Sequence, residues 1–241
     1  MTTSSEIRDR FNLQYNNVLS GAAPGLDDYE ISLYLTAAYK EVIYNSYSGN
    51  SKQESVDTSE RMRSLLSPLI TTFDISDSDD ITPIPTIVPN YFTTEVAVDS
   101  TTWYILSETA YLNNNALKVV PITYDELNLI KGNPFKSPNK FRAWRLDRGN
   151  NGDRVVLIIS IQPITRYTYS CVTLPAPIIL SDLTLISTEL SINGYTALSI
   201  PKELSNDWLL TKIINRACEL ATKDYKENNL NTQLSLNTRS E

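Results

Sequence analysis

Between Asp27 and Tyr44 the chain reads DDYEISLYLTAAYKEVIY. The apolar residues of this stretch recur at three- and four-residue intervals, as on a helix with one buried face: Ile31, Leu35, Ala38 and Val42. Asp27, and Glu30 three residues later, have the spacing of a capping box, in which each side chain satisfies a free amide at the start of a helix. We therefore predict an amphipathic helix over residues 27–44.

A second helix of the same kind is predicted near the other end of the chain. Residues 205–225 read SNDWLLTKIINRACELATKDY, and their apolar stripe consists of Leu210, Ile213, Ile214, Ala217, Leu220 and Ala221. A shorter helix over residues 6–19 has the stripe Ile7, Phe11, Tyr15, Val18 and Leu19. Isolated helices of this length are marginal in water, so these helices need tertiary partners. We predict a helical bundle built from both ends of the chain, residues 1–72 with 200–230.

The middle of the chain has the composition of β-strands. The stretches richest in β-branched and aromatic residues are 94–98, 103–111, 117–121, 141–148, 154–161, 167–174 and 184–187. Turn signals separate some of them, most clearly Gly149 to Gly152 and Asn193-Gly194. The predicted fold class is therefore α+β, with an antiparallel β-sandwich or small barrel over residues 94–199 inserted into the helical bundle. Residues 73–93 are predicted to be an acidic, proline-rich connection, and residues 231–241 a flexible tail.

Composition excludes several classes of function. The chain has 241 residues, a net charge of -7 and no histidine, so it is a poor candidate for binding DNA phosphates and lacks the commonest catalytic base. The two cysteines cannot build a zinc site or a disulfide framework. The sequence contains no nucleotide-binding, nucleophile-elbow or zinc-hydrolase motif. We predict no enzyme activity and no catalytic, cofactor-binding or metal-binding residue.

The sequence also gives no sign of a membrane span or of a secretion signal. No apolar run approaches the ~20 residues that a membrane helix requires, and the first residues lack the features of a signal peptide. We expect a protein that is made in a bacterial cytoplasm and does not insert into a membrane.

One stretch interleaves aromatic and basic residues in a way that suits a protein interface. A short helix is predicted after Thr123, capped by Thr123 and Glu126, and the chain then turns into residues 133–144. The interface candidates in this turn are Asn133, Pro134, Phe135, Pro138, Phe141 and Trp144. Single-stranded nucleic-acid binding is the alternative for such a stretch, but the acidic chain favours a structural contact. The last helix contributes Trp208, Lys212, Arg216 and Lys223 as further candidates.

Several of these segments resemble a structural protein of the crAss-like bacteriophages that infect gut Bacteroidales. The resemblance covers residues 11–19, 23–36, 124–127, 133–138, 143–145 and 217–221, and so touches both helical ends and the β region. It implies a virion protein in the neck of a podovirus-like particle, similar in plan to the tail tubular or adaptor proteins of short-tailed phages. Proteins of that plan assemble as dodecamers.

The leading hypothesis is therefore a non-enzymatic ring subunit that joins the portal to the tail. The expected partners are further copies of the chain, the portal protein and other neck or tail rings, with genomic DNA passing through the ring without sequence-specific binding. The alternative is a β module of a tail fibre that binds glycans on the host surface through exposed tyrosines.

Overall fold

The computed structural model describes residues 3–18, 25–47, 64–76, 80–113, 115–130, 133, 135–150, 153–187 and 189–237, with backbone alone for 150, 153 and 228–237. The chain divides into two compact units, one formed by residues Met1–Pro68 with Pro175–Glu241, the other by Leu69–Leu174. The second unit starts earlier than the β region predicted over 94–199 because it includes two further strands. It ends earlier because residues 175–199 belong to the helical unit.

The helices begin largely where the capping signals predict. They are α1 (Ser4–Val18), α2 (Asp28–Tyr47), α3 (Tyr124–Ile130, in the second unit) and α4 (Asp207–Asn237). The capping box of α2 is confirmed: the Glu30 amide donates to Asp27 Oδ1 at 2.7 Å and the Asp27 amide donates to Glu30 Oε2 at 3.1 Å. Asn206 caps α4 by accepting from the amides of Trp208 and Leu209. Helix α4 continues to Asn237, through most of the predicted tail.

In the helical unit, α4 packs against both α1 and α2. Most residues of the three predicted stripes are buried; Val18 is exposed, Leu220 is partly buried and Leu19 lies outside the described residues. The Arg216 guanidinium of α4 binds the Glu41 carboxylate of α2 through two hydrogen bonds of 2.7 and 2.9 Å. Within the described residues, no helix is both long and apolar enough to cross a membrane.

An irregular segment, residues 175–206, leads from the sheet to α4 and docks on α2 through buried hydroxyl groups. Thr36 Oγ1 accepts from the Ile178 amide at 3.0 Å and lies 3.2 Å from the Ile178 carbonyl oxygen, to which it donates. Ser32 Oγ accepts from the Leu180 amide at 3.1 Å. The predicted strand over 184–187 is wrong: Leu183–Leu185 form a 3-10 turn that Asp182 caps.

The second unit contains a single eight-stranded sheet in the order β1-β8-β4-β5-β6-β7-β3-β2. All neighbouring strands are antiparallel except the parallel pair β5 and β6. The strands are β1 (Ile70–Ile75), β2 (Ile81–Ile84), β3 (Phe92–Val98), β4 (Thr102–Leu112), β5 (Asn115–Pro121), β6 (Arg142–Asn150), β7 (Asp153–Ser160) and β8 (Arg166–Thr173).

This sheet corrects the prediction of an antiparallel sandwich or small barrel. In the described part of the chain there is one sheet rather than two layers, and its edge strands β1 and β2 do not pair with each other, so no barrel closes. The parallel pair exists because α3 and the following loop carry the chain across between β5 and β6, as a parallel connection requires. Strand β2 lies within residues 73–93, the segment predicted to be a connection, and strand β1 overlaps the start of that segment.

Chain length shows that the open sheet is curled. A flat sheet would separate β1 from β2 by seven strand spacings, about 34 Å. The connection from Ile75 to Ile81 spans six Cα steps, at most about 21 Å.

One apolar cluster accordingly collects side chains from all eight strands, including Ile81, Val96, Leu117 and Tyr169 with Phe73 against them. A smaller cluster on the other face, around Trp144, is covered by Leu127 of α3 and by Val88.

A buried ion pair with an adjoining tyrosine joins side chains of β4, β6 and β8. Arg145 Nη1 donates to Glu108 Oε1 at 2.8 Å, and the Tyr167 hydroxyl donates to Glu108 Oε2 at 2.6 Å. Burial opposes the charge of Arg145, but the carboxylates of Glu108 and Asp147 outweigh it and raise the Arg145 pKa. Burial and then the Glu108 carboxylate raise the pKa of Tyr167, so its hydroxyl keeps its proton and donates to Glu108.

We expect Thr36→Val to lower the free energy of unfolding of the helical unit by about 2 kcal/mol, because it leaves the Ile178 amide and carbonyl buried without a partner. Urea denaturation followed by far-UV circular dichroism measures this change. The matched control is Thr211→Val at an exposed position of α4, where we expect a change within about 0.5 kcal/mol. Equal effects of the two substitutions would show that the Thr36 hydroxyl does not hold the segment.

Candidate assembly surfaces

The crossover between β5 and β6 forms a projecting loop, which we call the corner loop and define as residues 135–142. Helix α3 begins at the predicted capping box: the Glu126 amide donates to Thr123 Oγ1 at 3.2 Å and the Thr123 amide donates to Glu126 Oε2 at 2.9 Å. After α3 the chain passes Asn133 and enters the corner loop, which ends at the start of β6. Both ends of the crossover are therefore fixed by regular elements.

Side chains of the same segment hold the corner loop in one conformation. Arg142 Nη2 donates to the Phe135 carbonyl at 2.8 Å and to the Ser137 carbonyl at 2.9 Å. Trp144 Nε1 donates to the Lys136 carbonyl at 3.0 Å. The Phe135 amide donates to Asn133 Oδ1 at 3.0 Å. These bonds bind successive carbonyls of the loop to β6, so the loop is preorganised.

The apolar side chains of this region are presented outwards. Phe135 is 89% exposed and Phe141 is 67% exposed, and α3 adds the exposed Tyr124 and Leu129. The Lys140 ammonium lies 5.0 Å from the centre of the Phe141 ring. The corner loop carries three basic residues and no acidic one: Lys136, Lys140 and Arg142. Exposed aromatic rings among basic groups on a rigid loop are the composition of a protein-binding surface.

The structure separates the predicted residues of this stretch into contact candidates and supports. Phe135 and Phe141 are exposed, Asn133 is partly buried, and Pro134 lies outside the described residues. Pro138 is buried, and Trp144 is only 1% exposed because its ring packs in the smaller cluster with Leu127 and Val88. In this chain Trp144 is a core residue whose indole nitrogen anchors the loop at the Lys136 carbonyl, so its ring supports the loop from within.

The candidates on α4 are engaged to different degrees within their own unit. Arg216 binds Glu41 and also Glu219 at 2.7 Å, so its charge already joins α4 to α2. Lys212 lies 5.6 Å from the Trp208 ring, and both side chains are partly buried. Lys223 is exposed and lies 3.6 Å from Glu227. Of the four, Lys223 is the most accessible to another chain.

Sequence analysis missed a second exposed apolar surface, in the helical unit. We call it the acidic loop and define it as residues 182–187 and 189–198. Leu185 is 85% exposed, and the exposed side chains Ile186, Tyr195 and Leu198 accompany it. The loop contains Asp182 and Glu189 and no basic residue. The signal in the sequence is the apolar pair Leu185-Ile186, which lies within the strand predicted over residues 184–187.

The acidic loop is also fixed by its own hydrogen bonds. Asn193 (φ 53°) and Gly194 (φ 82°) form the predicted tight turn, and Ile192 and Tyr195 on either side exchange backbone bonds of 2.9 and 3.0 Å. The Leu183 amide donates to the Thr196 carbonyl at 2.9 Å. Leu183 and Ile192 are buried with Ile179, so the loop has a small core of its own.

Reactive side chains in the described residues serve structural roles. The Ser137 hydroxyl donates to the Asn133 carbonyl at 2.7 Å. Burial raises the pKa of Cys171, and burial followed by the Glu219 charge raises the pKa of Cys218 to about 12, so both buried thiols stay protonated near neutral pH. In the part of the chain that the structure describes, no three His, Cys, Asp or Glu residues are grouped to hold a metal ion.

Comparison with known proteins identifies relatives along almost the whole chain. Residues 1–233 match the family described as phage tail ring protein 3/4. The chain is 31% identical to ring protein 4/5 of Bacteroides phage crAss001 over 98% of its own length and 99% of that protein. It is 33% identical to ring protein 3 of the same phage, over 91% of its own length and 94% of that protein.

We expect Arg142→Gln to loosen the corner loop, because glutamine cannot bind the Phe135 and Ser137 carbonyls as the guanidinium does. The loss of two hydrogen bonds from a charged donor, about 2 kcal/mol, predicts roughly thirtyfold faster hydrogen exchange for amides of residues 136–141. Hydrogen exchange followed by mass spectrometry measures the change. Arg148→Gln, at an exposed position of the same strand, is the control; loosening by both variants alike would contradict the role of Arg142.

Proposed function

Because this chain belongs to the family of phage tail ring proteins 3/4, we propose that it is a structural subunit of a ring in the neck or tail of a crAss-like phage particle. The observation that carries the proposal is the corner loop, a rigid segment whose largest apolar side chains all point away from its own unit. Such a surface is costly in a free monomer and gains its stability when a partner covers it.

The contact energy in this proposal comes from a few anchors. Phe135 and Phe141 are large, exposed aromatic groups, the type that dominates binding energy at protein interfaces. The hydrogen bonds from Arg142 and Trp144 fix the loop before a partner arrives, so little conformational entropy is lost on binding. Pro138 and Trp144 act indirectly, by supporting the loop. Lys223, Lys212 and Trp208 of α4 form a second candidate contact.

The finer part of the proposal concerns the place of the ring. The ring is a dodecamer that joins the portal to the tail, with other neck and tail rings as neighbours, and genomic DNA leaves the particle through its lumen. A net charge of -7 supports this passage, because the acidic chain as a whole repels phosphate groups. Binding of each copy to the next through two different surfaces closes into a ring when the rotation between copies is right.

We expect the double variant Phe135→Ser, Phe141→Ser to lose ring assembly, because each contact then lacks both aromatic anchors. A loss of about 3 kcal/mol per contact raises its dissociation constant by roughly a hundredfold. Mass photometry and negative-stain microscopy of the purified protein compare the fraction of chains in rings.

The control for this experiment is Phe92→Ser, a partly exposed phenylalanine on β3. Circular dichroism verifies that all variants are folded. Rings that form as well in the double variant as in the wild type would exclude the corner loop as a contact, and a wild type that stays monomeric with and without portal protein would exclude the ring function.

We expect the protein to bind duplex DNA too weakly to detect at 150 mM salt. Fluorescence anisotropy with a labelled duplex of about 30 base pairs measures binding at 50 and 150 mM salt. A protein that neutralises phosphates loses affinity steeply between these concentrations, so tight binding with a steep salt dependence would contradict free passage of DNA. A basic DNA-binding protein run in parallel verifies the assay.

A further inference from the structure

Each copy of the chain carries two exposed apolar loops, one basic and one acidic, and we propose that the corner loop of one copy binds the acidic loop of the next. This inference rests on the proposed ring function and specifies the pair of surfaces that meet. The two loops belong to two different compact units of the chain. A ring requires such a pair, because every copy must offer one surface to the copy before it and a different one to the copy after it.

Charge selects the acidic loop as the occupant of the corner loop. Residues 135–142 carry three basic residues and no acidic one, whereas the acidic loop carries Asp182 and Glu189 and no basic residue. Lys136, Lys140, Asp182 and Glu189 are all exposed and stand beside exposed apolar groups. Complementary charge around an apolar centre is the usual arrangement of a specific interface and also speeds the encounter of the partners.

The same charges disfavour a symmetric dimer. Two corner loops facing each other would bring three basic residues against three, and two acidic loops would bring two carboxylates against two. Like charges across an interface cost free energy and suppress that pairing. Pairing of basic with acidic loops is the combination without this repulsion, and it is a head-to-tail contact that extends from copy to copy.

Both loops are rigid enough to dock without rearrangement. The corner loop is tied to Arg142 and Trp144, and the acidic loop is closed by the Asn193-Gly194 turn and by the buried Leu183 and Ile192. Each therefore presents its apolar side chains, Phe135 and Phe141 on one and Leu185 and Ile186 on the other, at fixed positions. Preformed surfaces lose less entropy on association than mobile ones.

Charge reversal tests the pairing. A corner variant, Lys136→Glu with Lys140→Glu, makes both loops acidic, and a loop variant, Asp182→Asn with Glu189→Lys, makes both loops basic. Asparagine is chosen at 182 because it can keep the cap that Asp182 provides to the Thr184 amide. We expect each variant alone to form at least tenfold fewer rings than the wild type at 50 mM salt, by mass photometry.

The decisive sample is a mixture of the two variants. In the mixture every contact between unlike copies joins an acidic surface to a basic one, so we expect alternating rings to return to within about twofold of the wild-type amount. The chain that carries all four substitutions is likewise expected to form rings. The control Arg148→Glu with Lys118→Glu changes charge on strands outside both loops and should leave assembly unchanged.

A covalent test uses cysteine cross-linking, in which the native Cys171 and Cys218 do not interfere because both thiols are buried. Phe135→Cys with Leu185→Cys places one new thiol on each loop, and oxidation is expected to produce a ladder of cross-linked oligomers, while either single substitution gives at most dimers.

Wild-type rings together with failure of the variant mixture to assemble, and no ladder, would overturn the pairing and leave the ring function standing. A wild type without oligomers at any concentration would overturn both.

Discussion

The arrangement of the helical unit depends on two buried hydroxyl groups of α2. The described part of segment 175–206 has only short 3-10 turns and isolated bridges to satisfy its backbone, and the remaining buried amides and carbonyls must find other partners. Thr36 and Ser32 supply them, by binding Ile178 and Leu180 at the point where the segment crosses α2. This attachment fixes where the acidic loop begins and where the chain returns to α4. The flank of α2 that carries Ser32 and Thr36, beside the apolar stripe, is therefore as important to the fold as the stripe itself.

The helices and most strands could be predicted because their signals are local. Asp27 with Glu30 and Thr123 with Glu126 are capping pairs that the structure reproduces atom by atom, and β3 to β8 lie where β-branched residues alternate. Strands β1 and β2 were missed because prolines and aspartates surround them, and sheet-edge positions tolerate both. The single curled sheet could not be predicted, since the parallel pairing of β5 with β6 depends on contacts far apart in sequence.

For the candidate surfaces too, some features follow from the local sequence and others depend on the fold. Aromatic and basic residues single out the corner loop in the sequence, but composition cannot tell an exposed ring from a buried one. Trp144 and Phe141 are three residues apart, and the alternation along β6 sends the Trp144 ring into the core. The buried pair Arg145–Glu108 occupies the opposite face of the same strand. Strand β6 thus joins the loop to both clusters of the second unit, which explains how a projecting segment keeps a single shape.

The two edge strands of the sheet, β1 and β2, carry features that prevent misassembly of the protein at high concentration. An unpaired edge strand is a template for uncontrolled strand addition, which would compete with ring closure and yield fibres. On β2, Pro83 has no amide to donate to an incoming strand. On β1, Asp74 pairs with Arg166 across the ladder, which leaves a charged pair at that edge. Both edges thereby discourage growth in the hydrogen-bonding direction, so association is directed to side-chain surfaces, whose geometry can limit the number of copies.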